Sequence, residues 1–219
     1  MCGRFAVFSS ADDIADRLGL STIAAGARLL PPNWNVAPTA NIPIVIPDLS
    51  LQTGTWGFRS PWSKTSSGII NARAESVAHK PTFSDAFVNR RCIVPANGYY
   101  EWQKLETKRK QPWYITNSDN SLMLFAGIYN LVNEQISVAI TTIGANQEMS
   151  PIHHRMPVVL PSDAMEVWLN SGPDEAEQLM LHTPQHLSFT KVSTRVNSVV
   201  NNGPSLIEPE VPLFADTLF

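Results

Sequence analysis

Cysteine is scarce in this chain: only Cys2 and Cys92 occur in 219 residues, and no signal-type apolar segment accompanies them. That usage excludes a disulfide framework and points to free thiols in a reducing compartment. No apolar run approaches the roughly 20 residues of a membrane-spanning helix, so no membrane partner is expected. A basic excess is missing too, with 16 Lys and Arg against 19 Asp and Glu and a net charge of −3. A uniformly basic nucleic-acid binder is thereby excluded, whereas a local basic cleft is not. The chain has no internal repeat, no low-complexity stretch and no linker long enough to separate a pair of domains. Metal-ligand spacing is lacking as well: His153-His154 has no second cluster of Cys or His beside it, and neither metal nor cofactor is expected.

What remains is an ordinary globular composition, 43% hydrophobic and 16% charged. Helical patterns are short. Ser10-x-x-Asp13 opens one that runs to Gly19 with Ile14 and Leu18 on one face. Thr82-x-x-Asp85 opens a second that buries Phe83 and Phe87, and Ser162 to Leu169 and Ser171 to Leu181 form two more. Strand patterns dominate elsewhere, at 42–46, 52–58, 92–102, 113–116, 122–130, 136–142 and 156–160. The stretch from Trp113 to Ile143 reads as a meander with turns at Asn117–Asn120 and Asn133-Glu134. Strands joined by short turns predict an α+β protein in one domain over residues 1–219. Its sheet should be mainly antiparallel and curved or barrel-like, with short peripheral helices.

Four segments concentrate reactive groups. Cys2 follows Met1, which is expected to be removed because the next side chain is small. Removal leaves an α-amine and a thiol on one two-carbon unit, with ordinary pKa values near ~7.7–8.0 and about 8.5. Such a pair captures an aldehyde as a Schiff base and closes it to a thiazolidine, or the thiolate alone attacks an acyl carbon. In Ile70-Asn71-Ala72-Arg73, residues two apart on an extended chain share a side, so Asn71 and Arg73 share one cleft. Glu101, between aromatics in Gly98-Tyr99-Tyr100-Glu101-Trp102, is a candidate for burial, a raised pKa and proton transfer. Ile152-His153-His154-Arg155 places adjacent histidines on opposite faces if extended, so one of them enters a given site. Cys92, inside an apolar strand, reads as a buried structural residue.

In their order along the chain, these segments resemble the SOS response-associated peptidase (SRAP) family. The resemblance rests on Met1-Cys2-Gly3-Arg4-Phe5, Trp34-Asn35-Val36-Ala37-Pro38, Ile70 through Glu75, Arg91 through Ala96, Gly98 through Trp102, Ile152 through Pro157, and Val192 through Asn197. It implies a single SRAP domain that crosslinks covalently to abasic sites in single-stranded DNA. It also implies a monomer in the cytoplasm, associated with the nucleoid at damaged DNA, or in the nucleus of a eukaryotic cell. By the resemblance, Cys2 is the nucleophile, Asn71 positions it, Glu101 is the acid/base, and His153 assists opening of the sugar ring. Arg4, Arg73 and Arg155 match phosphate-contacting positions, Asn35 and Pro38 lie in a DNA-facing segment, and Trp62 lies in one that stacks on bases. Three such arginines imply a log–log salt slope of about −2 on single strands. Pro151 stands where many relatives carry an acidic residue. The alternative activity is an N-terminal cysteine peptidase or amidohydrolase with autoproteolysis.

Overall fold

The computed structural model describes residues 2–60, 68–107, 109–181 and 186–210. Met1 and Trp62 lie outside these segments. Among the described residues, fourteen strands carry the architecture: β1 Phe5–Val7, β2 Thr22–Ile23, β3 Asn33–Val36, β4 Asn41–Val45, β5 Ser50–Trp56, β6 Asn71–Arg73, β7 Arg91–Ala96, β8 Gly98–Lys104, β9 Lys110–Asn117, β10 Met123–Val132, β11 Gln135–Gly144, β12 Arg155–Pro157, β13 Val159–Leu160 and β14 Leu187–Lys191. Short α-helices intervene among the same residues: α1 Ala11–Leu18, α2 Ala25–Arg28, α3 Ala74–Val77, α4 Ser84–Asn89, α5 Met165–Asn170 and α6 Pro173–Met180. The class is α+β, with mostly antiparallel pairing, as the strand pattern predicts.

One sheet closes on itself. Antiparallel pairs join β11 to β10, β10 to β7, β7 to β4 and β4 to β5, and a parallel pairing of β5 with β11 completes the ring. The second sheet runs β14-β9-β8-β1-β3. Strand β7 is buried along its whole length, which fits the apolar run from Cys92 to Ala96 that follows Arg91. Aromatic edges join the sheets: the Phe5 ring lies 5.0 Å from Trp56 and 6.0 Å from Phe125. Burying that apolar surface is the main driving force for their union.

The 92–102 stretch is two strands rather than one, because the chain changes sheets at Asn97. Its side-chain oxygen accepts the backbone N–H groups of Phe8 (2.8 Å) and Ser9 (3.1 Å), and its own N–H donates to Ala6. These bonds hold the start of the chain against β8. The meander is corrected for the same reason: β9 pairs with β8 and β14, whereas β10 pairs with β7, β11 and β13. The turn at 117–120 therefore crosses between sheets. The Asn133-Glu134 turn does form the expected hairpin, with both residues at positive φ (51° and 62°) between Val132 and Gln135.

Local signals place α1 well. Ser10 Oγ accepts from the Asp13 N–H at 3.1 Å, and Gly19 takes the left-handed conformation at φ 62°. Thr82 does not cap α4, which begins after Phe83 without a side-chain cap, although Phe83 and Phe87 are buried as expected. Pro173 occupies the first turn of α6.

Gly98 shows how tightly β8 packs. A Cβ there would sit 2.5 Å from Tyr114 Cζ and 2.7 Å from the Ile115 carbonyl oxygen. Gly98→Ala is expected to destabilise the fold by about 1–3 kcal/mol through overpacking. Urea unfolding checks this, and an unchanged midpoint would mean that β8 and β9 separate freely.

Candidate active site around Cys2

Strand β11 organises the neighbourhood. On one edge it carries β10 and then β12, and on the other β5 and then β6. Asn71 pairs with Ile140 and Arg155 with Gly144, so the second and fourth candidate segments meet near the end of one strand. The first and third meet in the other sheet, where Phe5 is opposite Tyr99 and the Tyr100 N–H donates to the Arg4 carbonyl at 2.9 Å.

Cys2 precedes β1 and is fully buried. Asn71 Nδ2 donates to its carbonyl oxygen at 2.8 Å, tying the start of the chain to β6. The Asn71 side-chain oxygen is buried without a hydrogen-bond partner among the described residues. Burial pushes the Cys2 thiol well above its ordinary pKa, and the nearby charge of Glu101 pushes it further. Cys2 is therefore held as a thiol, not as the small thiolate fraction that an exposed cysteine would carry. Cys92 is likewise fully buried, in β7 behind Gly127, and its thiol is also pushed up by burial.

Glu101 is 3% exposed in β8, and burial raises its carboxyl above the ordinary range. His153 Nδ1 lies 3.9 Å from Glu101 Oε1. That nitrogen accepts the backbone N–H of Arg155 at 3.0 Å and lies 3.1 Å from the Arg155 carbonyl oxygen. A neutral ring uses the first contact and a protonated ring the second, so either state has a partner. Burial lowers the His153 pKa, which favours the neutral form near pH 7.

The loop before His153 is not extended. The N–H groups of Ile152 and His153 both return to the Met149 carbonyl, and Asn146 Oδ1 caps the turn through the Met149 N–H. This curl brings the rings of His153 and His154 to 4.4 Å at 30°, so the adjacent histidines do not alternate faces. Gln103 Nε2 donates to the Pro151 carbonyl at 3.1 Å and anchors the loop to β8. Motif reasoning overlooks Gln103, yet it sits two residues beyond Glu101 on the same strand, the period that flags it.

The remaining candidates divide. Arg4 donates to Asn35 Oδ1 (2.7 Å) and the Val196 carbonyl (2.9 Å), with its guanidinium 5.8 Å from the Trp102 ring. Asn35 is buried and its amide serves the carbonyls of Val196, Ser198 and Asn201. Its polar atoms fasten the 196–201 loop. Arg155 forms a two-pronged ion pair with Glu75 and also donates to the Thr142 carbonyl. Arg73 is exposed at the end of β6 and makes no ion pair among the described residues, and Pro38 is part-exposed in the turn between β3 and β4. Trp62 lies outside the described residues.

The chain is similar to several known proteins. The family model described as SOS response associated peptidase (SRAP) matches residues 1–199. The chain is 37% identical to abasic site processing protein YoqW of Bacillus subtilis (strain 168), covering 95% of this chain and 99% of that protein. It is 26% identical to abasic site processing protein HMCES of Xenopus tropicalis, over 93% of this chain and 77% of that one. A crystal structure of a protein from Bacteroides thetaiotaomicron matches with a TM-score of 0.84 at 25% identity, covering 96% of this chain and 100% of the other. A phage-related protein from Bordetella bronchiseptica matches at 0.69 with 27% identity, over 87% and 94% of the two chains. With nearly the whole fold and the entire Cys2 neighbourhood inside the matched region, this chain belongs to the SRAP family.

Proposed function

We propose that this protein processes abasic sites in single-stranded DNA by capturing the sugar aldehyde on Cys2, once the preceding residue is removed. The observation that carries the reading is the hydrogen bond from Asn71 to the Cys2 carbonyl, made beside the buried carboxyl of Glu101. It fixes the backbone of a 1,2-aminothiol next to a group able to give and take a proton. Names of relatives at up to 37% identity point to the same substrate class.

The reaction balances around one carboxyl. His153 moves protons as the closed sugar opens to its aldehyde. The α-amine adds to C1′, and Glu101, whose protonated form is favoured by burial, gives a proton to the departing hydroxyl. Water leaves and an iminium forms. The Cys2 sulfur then adds to C1′, and its proton passes to the Glu101 carboxylate, restoring the acid. The net change is loss of one water, with a C–N and a C–S bond formed. A thiol held protonated by burial is therefore no obstacle, because its proton leaves only as the C–S bond forms. Tethering makes ring closure fast, with effective molarities of order 10⁵ M for well-oriented groups. An acyl-transfer reading is weaker, since it calls for a standing thiolate that burial of Cys2 suppresses.

Mixing the protein with an abasic single-stranded oligonucleotide tests this reading. A denaturant-stable adduct is expected, with the mass of protein lacking Met1 plus DNA less one water. No adduct, or one that retains the water, would overturn it. Phosphate contacts are tested separately by salt. Because Glu75 neutralises Arg155, we expect a log–log slope of roughly −1.4, two contacts instead of three. A slope near zero would remove the arginines from binding. We further propose a monomer that acts where DNA and reducing conditions coexist.

A further inference from the structure

Residues 71–75 do more than hold Cys2. Strand β6 and helix α3 are continuous in sequence, so Asn71 and Glu75 are two ends of one short, hydrogen-bonded segment laid along β11. Asn71 grips the Cys2 carbonyl. Glu75 grips Arg155 through both carboxylate oxygens, and the same guanidinium is anchored a third time by the Thr142 carbonyl (2.5 Å) and hydroxyl (3.2 Å). Arg155 in turn offers its backbone N–H and carbonyl to His153 Nδ1. A continuous chain of contacts therefore runs from Glu75 through Arg155 to the imidazole that faces Glu101.

Stability alone does not account for this pair. The Glu75 side chain is 53% exposed, and an ion pair with so wet a partner adds little to folding. What it does supply is direction, because a two-pronged guanidinium–carboxylate contact with a third anchor leaves Arg155 a single orientation. The Arg155 backbone is then fixed on β11 through the Gly144 pairing. Charged neighbours do not replace Glu75 in this role: Arg73 carries the same sign as Arg155, and Glu101 faces the imidazole.

We propose that Glu75 is a positioning residue for the His153 ring, acting through Arg155, and that it keeps the Arg155 charge compensated in the free protein. The inference rests on the aldehyde-capture reading above. The test uses Glu75→Gln in the full chain, with two separate measurements on abasic single-stranded DNA. The first is the first-order crosslinking rate at saturating DNA, and the second is non-covalent affinity for the same strand with a tetrahydrofuran at the abasic position, which has no aldehyde to form an imine. The rate is expected to fall about ten- to hundredfold, the range for a small misplacement of a reacting group. Affinity should hold or rise, because Arg155 then carries an uncompensated charge, and the salt slope should steepen by about 0.7. An unchanged rate overturns the proposal, as does a parallel loss of rate and affinity.

Two further readouts guard against a folding defect. Glu75→Asp keeps the carboxylate and is expected to recover some of the rate; no recovery in a folded variant counts against the proposal. Nitrogen-15 shifts of His153 should report mainly the Nε2-protonated tautomer in the parent and a mixture in Glu75→Gln, and an unchanged tautomer would overturn the positioning role. If the parent itself forms no adduct, the aldehyde-capture reading fails, while the tautomer measurement still decides the role of Glu75.

Discussion

Cys2→Ala is expected to abolish the denaturant-stable adduct with abasic DNA while leaving non-covalent binding within about twofold of the parent. The methyl group occupies some of the same buried space, and the backbone carbonyl held by Asn71 is unchanged. The α-amine also persists, so the variant can still form an imine. Without sulfur the imine is never closed to a ring, and it hydrolyses under denaturing conditions. Borohydride should therefore trap an adduct in Cys2→Ala that is absent without reduction. That pair of results separates ring closure from amine attack. An unreduced adduct of parental yield in Cys2→Ala would remove the thiol from the mechanism. Binding lost together with the adduct would mean that Cys2 serves the fold instead.

The second large effect is expected far from that chemistry in kind. Arg91, at the start of β7, is 3% exposed and has no carboxylate partner among the described residues. Its guanidinium donates instead to the carbonyls of Phe87 (2.7 Å), Trp168 (2.5 Å) and Ser171, at the ends of α4 and α5. It also lies 5.7 Å from the rings of both Phe87 and Trp168. Helix C-termini present unpaired carbonyls and a partial negative charge, so one cation satisfies two ends at once. Arg91→Met keeps much of the apolar volume but strands these acceptors, each at about 1–3 kcal/mol. A total loss of roughly 3–5 kcal/mol is expected, comparable to breaking a buried ion pair. Urea unfolding should show a midpoint lowered by at least about 1 M with little change in slope. An unmoved midpoint would show that the helix ends find other donors.

Much of the site is legible in the sequence because its residues sit in strongly patterned segments. Glu101 is framed by aromatic neighbours at the end of an apolar run, and such framing in a strand favours burial whatever the fold. Asn71 and Arg73 alternate about Ala72, which is buried while they are not. The departures share a cause. An extended chain would put His153 and His154 on opposite faces, whereas a turn capped by Asn146 curls them to one side. The amide of Asn35 is likewise held by a loop 161–166 residues further along. Local sequence carries no record of such a partner.

The amino-acid sequence by itself determined the α+β class, the caps of α1 and the hairpin at Asn133-Glu134. Each of these follows from side-chain chemistry or from periods of two and 3.6 residues, which act over a few positions. Only the tertiary structure decided that β9 leaves the meander, that a parallel pairing of β5 with β11 closes the barrel, and that Glu75 reaches Arg155 across 80 residues. It also decided the state of Cys2, because a thiol's pKa depends on the water around it, and that water is expelled only when two sheets close over the start of the chain.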